Sequence, residues 1–93
     1  MTPIIITEPE DWVPLADGPG SVHIVAEQEG ALRLATGTPT APPLDIVRGA
    51  AVDANVGSAW QISEGERLYA RTRYTVARAD YVAEHPLRDG VTE

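Results

Sequence analysis

An all-β domain, built as a small antiparallel β-sandwich or barrel with an extended N-terminal arm, is the fold class this sequence predicts. Three observations carry that prediction. Apolar side chains recur at period two over residues 21–26 and 67–76, giving each stretch one face for a core and one for solvent. Turn signals built from Gly, Pro and acidic residues separate the candidate strands at intervals of roughly ten residues. Pro9, Pro14 and Pro19 forbid a helix through the first 20 residues.

Residues 1–20 hold Pro3, Pro9, Pro14 and Pro19 and the acids Glu8, Glu10 and Asp11, with Ile4, Ile5 and Ile6 as a short strand candidate. The stretch is expected to be an arm anchored by Trp12 and Val13 and ended by the turn Asp17-Gly18-Pro19-Gly20. Such an arm lies along its own domain or reaches a neighbouring subunit.

Residues 21–82 form the expected core. Val22, Ile24 and Ala26 face inward on one strand, Glu27-Gln28-Glu29-Gly30 turns the chain, and Leu32 and Leu34 face inward on the next. This pair reads as a hairpin. Residues 37–43, Gly-Thr-Pro-Thr-Ala-Pro-Pro, make a stiff loop excluded from any central strand. Residues 45–47 and 50–56 are weaker strand candidates, divided by Arg48-Gly49.

The longest patterned stretch is residues 59–81. Trp60 and Ile62 point inward, and Ser63-Glu64-Gly65-Glu66 supplies a turn whose glycine takes positive φ without steric penalty. Leu68, Ala70, Thr72, Tyr74 and Val76 then oppose Arg67, Tyr69, Arg71 and Arg73. One face is dry and the other is basic and aromatic, which reads as a second hairpin. A helix competes here, because Ser63-x-x-Glu66 is also a capping-box pattern and no Gly or Pro intervenes between Glu66 and Pro86. Its stripe of Leu68, Thr72, Thr75, Ala79 and Val82 is poorly apolar, so the strand is favoured through residue 76. Beyond Val76 the pattern weakens, and residues 83–93 are expected to be a polar tail.

A chain of 93 residues is one domain, and at this size only about 60% of the unfolded surface is buried. Its core is thin, and association with copies of itself or with a larger body is a natural remedy. There is no cysteine to staple the fold or ligate zinc through thiolates. No stretch approaches the ~20 apolar residues of a membrane span, and the start lacks the basic segment of a signal peptide, so an unprocessed cytoplasmic product without a membrane partner is expected. The net charge of −7 opposes general nucleic-acid binding. That charge is unevenly spread: the first six ionised side chains are all acidic, whereas Arg67, Arg71, Arg73 and Arg78 cluster late.

Catalytic constellations are sparse. Ser21 and His23 share a strand face with Asp17 upstream, but i and i+2 side chains on a strand stand about 7 Å apart, too far for a nucleophile–base pair. Two distant histidines without cysteine do not make a common zinc site, and Asp53-x-Asn55 lacks the spacing of a calcium loop. The acid pairs Glu8/Glu10 and Glu64/Glu66 sit in arm and turn segments rather than a cleft, and Asp17-Gly18-Pro19-Gly20 lacks the Lys and following helix of a phosphate loop. No enzyme activity, metal or cofactor is expected. The face carrying Arg67, Tyr69, Arg71 and Arg73 has interface composition, since Arg and Tyr are enriched at binding hot spots. Equally, its guanidinium groups could pair with Glu27, Glu29 or Glu66 across a sheet, each exposed pair contributing under ~1 kcal/mol.

The order of these features resembles the small β-sandwich accessory proteins of tailed-bacteriophage virions. The resemblance rests on Asp11-Trp12-Val13, the alternating strands, the 37–43 loop, Ser58-Ala59-Trp60-Gln61-Ile62, and Gly65 followed by Leu68, Tyr69, Ala70 and Arg71, and covers roughly residues 11–82. It implies a non-enzymatic structural role as a capsid decoration, head-fibre or tail component, often trimeric, located in the virion and made in the host cytoplasm. Its partners would be other virion proteins, met through Trp12 and Val13 on the arm and through Arg67, Tyr69, Arg71 and Arg73. The alternatives are a carbohydrate- or protein-binding surface module and a small acidic inhibitor whose residues 8–11 mimic nucleic acid.

Overall fold

Leu68, Ala70 and Thr72 are buried in the core phase of a strand while Arg67 and Arg71 on the opposite phase are half-exposed, and Tyr69 on that outward phase is buried as well. The computed structural model describes residues 2–6, 12–28, 32–44, 49–52, 54, 56–72 and 77–87, and these contain strands but no helix. The strands are β1 (Thr2–Ile6), β2 (Val13–Asp17), β3 (Gly20–Ala26), β4 (Leu32–Gly37), β5 (Ala50–Ala51), β6 (Ser58–Ile62), β7 (Arg67–Thr72) and β8 (Ala77–Ala83). Arg73, Tyr74 and Val76 of the expected second hairpin, and the strand candidate at 45–47, lie outside the described residues.

Two four-stranded antiparallel sheets form, in the orders β1-β8-β3-β6 and β2-β7-β4-β5. The first strand pairs with the last, the second with the seventh, the third with the sixth and the fourth with the fifth. That is a ribbon folded at β4–β5 and rolled up, with β3–β8 and β4–β7 closing the roll. Among the described strands this nested order is the jelly-roll arrangement of an antiparallel sandwich. Leu15, Ile24, Leu32, Leu34, Ile62, Leu68, Val52 and Tyr81 fill the space between the sheets.

Both expected hairpins are corrected. β3 and β4 lie in different sheets, as do β6 and β7, so the turns after Ala26 and Ile62 are corners that carry the chain across the sandwich. A short turn and two alternating strands satisfy either arrangement; what decides is that each strand needs a dry partner face and the rolled ribbon supplies one. At the second corner Gly65 has φ +83° with no atom within contact distance of an added Cβ, so backbone conformation alone selects glycine. Glu66 Oε1 accepts a hydrogen bond from the Ser63 amide at 2.9 Å, which is the capping-box bond used in a β-corner.

The segment expected as an arm lies along its own domain as β1 and β2, edge strands of the two sheets. The uncertain stretch after Val76 is β8, a central strand. Of the expected tail, Ala83 ends β8 and residues 85–87 run along the free side of β2. There the Asp17 amide donates to His85 O at 3.0 Å, the Leu87 amide donates to Leu15 O at 2.8 Å, and Ala16 bridges to Pro86.

Candidate functional site

A β-bulge in β2 decides which side chains meet. Val13 opposes Ala70 and Pro14 opposes Tyr69, but the next pairs are Ala16 with Leu68 and Asp17 with Arg67, so Leu15 is the extra residue. Leu15 and Ala16 are therefore both buried, and the strand's outward phase moves from even to odd numbers across them. Trp12 and Asp17 come to share one face. Leu15 O, which accepts the Leu87 amide, also accepts the buried Tyr81 hydroxyl at 3.2 Å. Pro14 was the available sequence signal, since proline within a strand marks an edge or a bulge.

On that outer face of the β2-β7-β4-β5 sheet, Trp12, Ala35 and Tyr69 form a small apolar cluster separate from the main core. The Arg71 guanidinium lies over the Trp12 ring, 4.5 Å from its centroid. Such a stack contributes about 0.5–1 kcal/mol near a surface, less than the several kcal/mol of burying the indole itself, so apolar burial holds the cluster. Residues 38–44 fold over it. The Tyr69 hydroxyl donates to Thr38 O at 2.5 Å, Trp12 Nε1–H donates to Leu44 O at 3.4 Å, and Arg67 Nη1 donates to Pro39 O at 3.4 Å. Gly37 allows the approach: an added Cβ would lie 2.6 Å from Ala41 O and 3.1 Å from Tyr69 Cε1.

At the end of this face Arg67 grips Asp17 through both carboxylate oxygens, Nε to Oδ1 at 2.6 Å and Nη2 to Oδ2 at 3.1 Å. The hydrogen bond from Arg67 holds the Asp17 carboxyl below its ordinary range, and the same bond raises the Arg67 pKa.

The structure thus gathers Trp12, Arg67, Tyr69 and Arg71 of the expected contact residues on one face. Val13 instead packs into the main core, and Arg73 is outside the described residues. Trp12 and Tyr69 are 9% and 4% exposed, so their rings are spent on this chain's own loop rather than presented to solvent. Sequence reading missed Asp17, Thr38 and Leu44 as partners because they sit 50, 31 and 32 positions from the residues they bind.

Among the described residues the outer face of the other sheet is more open, with Ser21, Asp80 and Val82 exposed. His23 lies between Ala59 of β6 and Val82 of β8 in register, and an open groove of about 260 Å³ runs past Ser21, His23, Val82 and Glu84. Glu84 Oε2 accepts from the Ser21 amide at 3.2 Å, and His23 Nε2 is 3.2 Å from Val56 O. Ser21, His23 and Asp17 are not brought together, since Asp17 is committed to Arg67. Among the described residues no group of three or more His, Cys, Asp or Glu side chains could hold a metal ion, and no helix is long and apolar enough to cross a membrane. Comparison with family models, with curated proteins and with solved structures returned no match.

Proposed function

We propose that this protein is a non-enzymatic structural subunit of a bacteriophage particle, acting through contacts with other particle proteins. The observation that carries the reading is the strand order β1-β8-β3-β6 over β2-β7-β4-β5, the rolled ribbon that viral capsid proteins and lectins share. The order of motifs along residues 11–82 adds to it. Topology alone hosts many functions, so the site must agree. Here the distinctive side chains, Arg67 on Asp17, Tyr69 on Thr38 and Trp12 on Leu44, fasten a surface loop to a sheet, as suits a rigid building block. A sugar platform has less support, because the rings of Trp12 and Tyr69 are covered and Trp60 packs against the core.

Quantitative mass spectrometry of purified particles tests the reading. Peptides of this chain in fixed ratio to a capsid or tail protein, retained through a high-salt wash, are the expected result. Their absence from particles, with the protein abundant in the infected cell, would overturn it.

A further inference from the structure

The sandwich has four sheet edges, and they differ in how they are protected. β1 carries Pro3, which cannot donate to an added strand. β2 carries Pro14 and a bulge, and residues 85–87 occupy its free side. β5 is only 2 residues long. β6, Ser58-Ala59-Trp60-Gln61-Ile62, has none of these devices: it has 5 residues, no proline, no glycine and no ionised side chain. It pairs with β3 on one side, and among the described residues its other side has no backbone partner. Natural sheets blunt such an edge with charge, proline or a covering segment, or else they use it.

We infer that β6 is the seat of a twofold homodimer, in which two copies of this chain join their β1-β8-β3-β6 sheets edge to edge into one continuous eight-stranded sheet. Three features select a second copy as occupant. First, antiparallel pairing centred on Trp60 sets Ala59 against the partner's Gln61 and Ser58 against the partner's Ile62, so no two ionised side chains meet along the strand. Second, a molecule of net charge −7 approaches its own copy most favourably along an uncharged stretch. Continuing the register sets Glu64 against the partner's Val56 rather than against another acid, and Val56 is 72% exposed.

The third feature is Trp60 itself. It lies on the inner side of β6, opposite Val22, but packs only partly into the core. In the rolled order the facing strand is β5, whose 2 residues are too few to cover it. Across the twofold each indole covers the other. The dimer thereby supplies apolar burial that a chain of 93 residues cannot find internally. This inference concerns the isolated chain and stands or falls apart from the particle reading.

Light scattering during gel filtration of the full chain at micromolar concentration is the test, together with amide hydrogen exchange at several dilutions. The expected mass is twice the 10.0 kDa of one chain, with protection at residues 58–62 fading on dilution. Substituting the exposed pair Ala59→Lys and Gln61→Lys sets like charges opposite each other across the axis and is expected to weaken the dimer roughly tenfold or more while the monomer stays folded. A monomer at every concentration, a trimer, or a dimer whose exchange at residues 58–62 ignores dilution would each overturn the inference. So would a folded double variant that dimerises as well as the parent.

Discussion

The outer faces of the two sheets obey the same alternation rule and end up in opposite conditions. Over β2-β7-β4-β5, the outward positions carry Asp17, Arg67, Tyr69 and Arg71, and a loop closes on them. Over β1-β8-β3-β6, the outward positions of the central strands include Ser21, His23, Asp80 and Val82, and they stay open, with Val82 at 53% exposure. The contrast teaches that an outward phase fixes only which way a side chain leaves the sheet. Whether water or protein meets it there depends on segments far away in the chain, here residues 12 and 38–44.

Substitutions on the two faces measure how much of that difference is energetic. Trp12→Ala is expected to have the largest effect, a loss of about 3 kcal/mol in urea unfolding, because it removes the ring that Ala35, Tyr69 and Arg71 pack against. A loss below 1 kcal/mol would mean that the loop closes without sealing anything. Tyr69→Phe keeps the ring and deletes the bond to Thr38 O, so about 1 kcal/mol is expected, with faster proteolytic nicking of residues 38–44 as the local readout.

Smaller still is the contribution of the ion pair. The Asp17 carboxyl titrates lower in the folded protein than its ordinary 3.8, so its stabilisation is complete above that value and is lost as pH falls through the depressed folded value. Both partners are partly solvated, which limits the pair to about 1 kcal/mol or less. Asp17→Asn is therefore expected to lower stability at neutral pH and to flatten the acid limb of its pH dependence below about pH 4. A stability profile unchanged by that substitution would remove the pair from the account. Val82→Ser on the open face is expected to change stability by no more than about 0.5 kcal/mol, and a larger loss would show that this face is covered too.

Much of the fold was legible in the residues. The inward sets Val22/Ile24/Ala26, Leu32/Leu34 and Leu68/Ala70/Thr72 are all buried, and Gly65 takes the positive φ expected of it. Strand partnership was not legible, because alternation records a face and not a neighbour. The candidate site was half legible. Arg67, Tyr69 and Arg71 do share an outer face, yet nothing local to them reports that Trp12 and the proline-rich loop lie over it. The bulge explains why: a single extra residue, Leu15, reverses the phase of β2 and delivers Asp17 to Arg67. Its one local trace is Pro14.

Pairing the earliest strand with the latest also sets a clock. Thr2 meets Tyr81, so a chain leaving the ribosome exposes β1 long before its neighbour has been synthesised, and each sheet waits on a pairing between residues far apart in sequence, β1 with β8 in one and β2 with β7 in the other. Assembly by late closure gives refolding in roughly milliseconds to seconds rather than microseconds, a range that stopped-flow tryptophan fluorescence resolves. Until β8 is available, β3 lacks a ladder partner along one edge, and that unpaired edge is expected to favour aggregation in the interval.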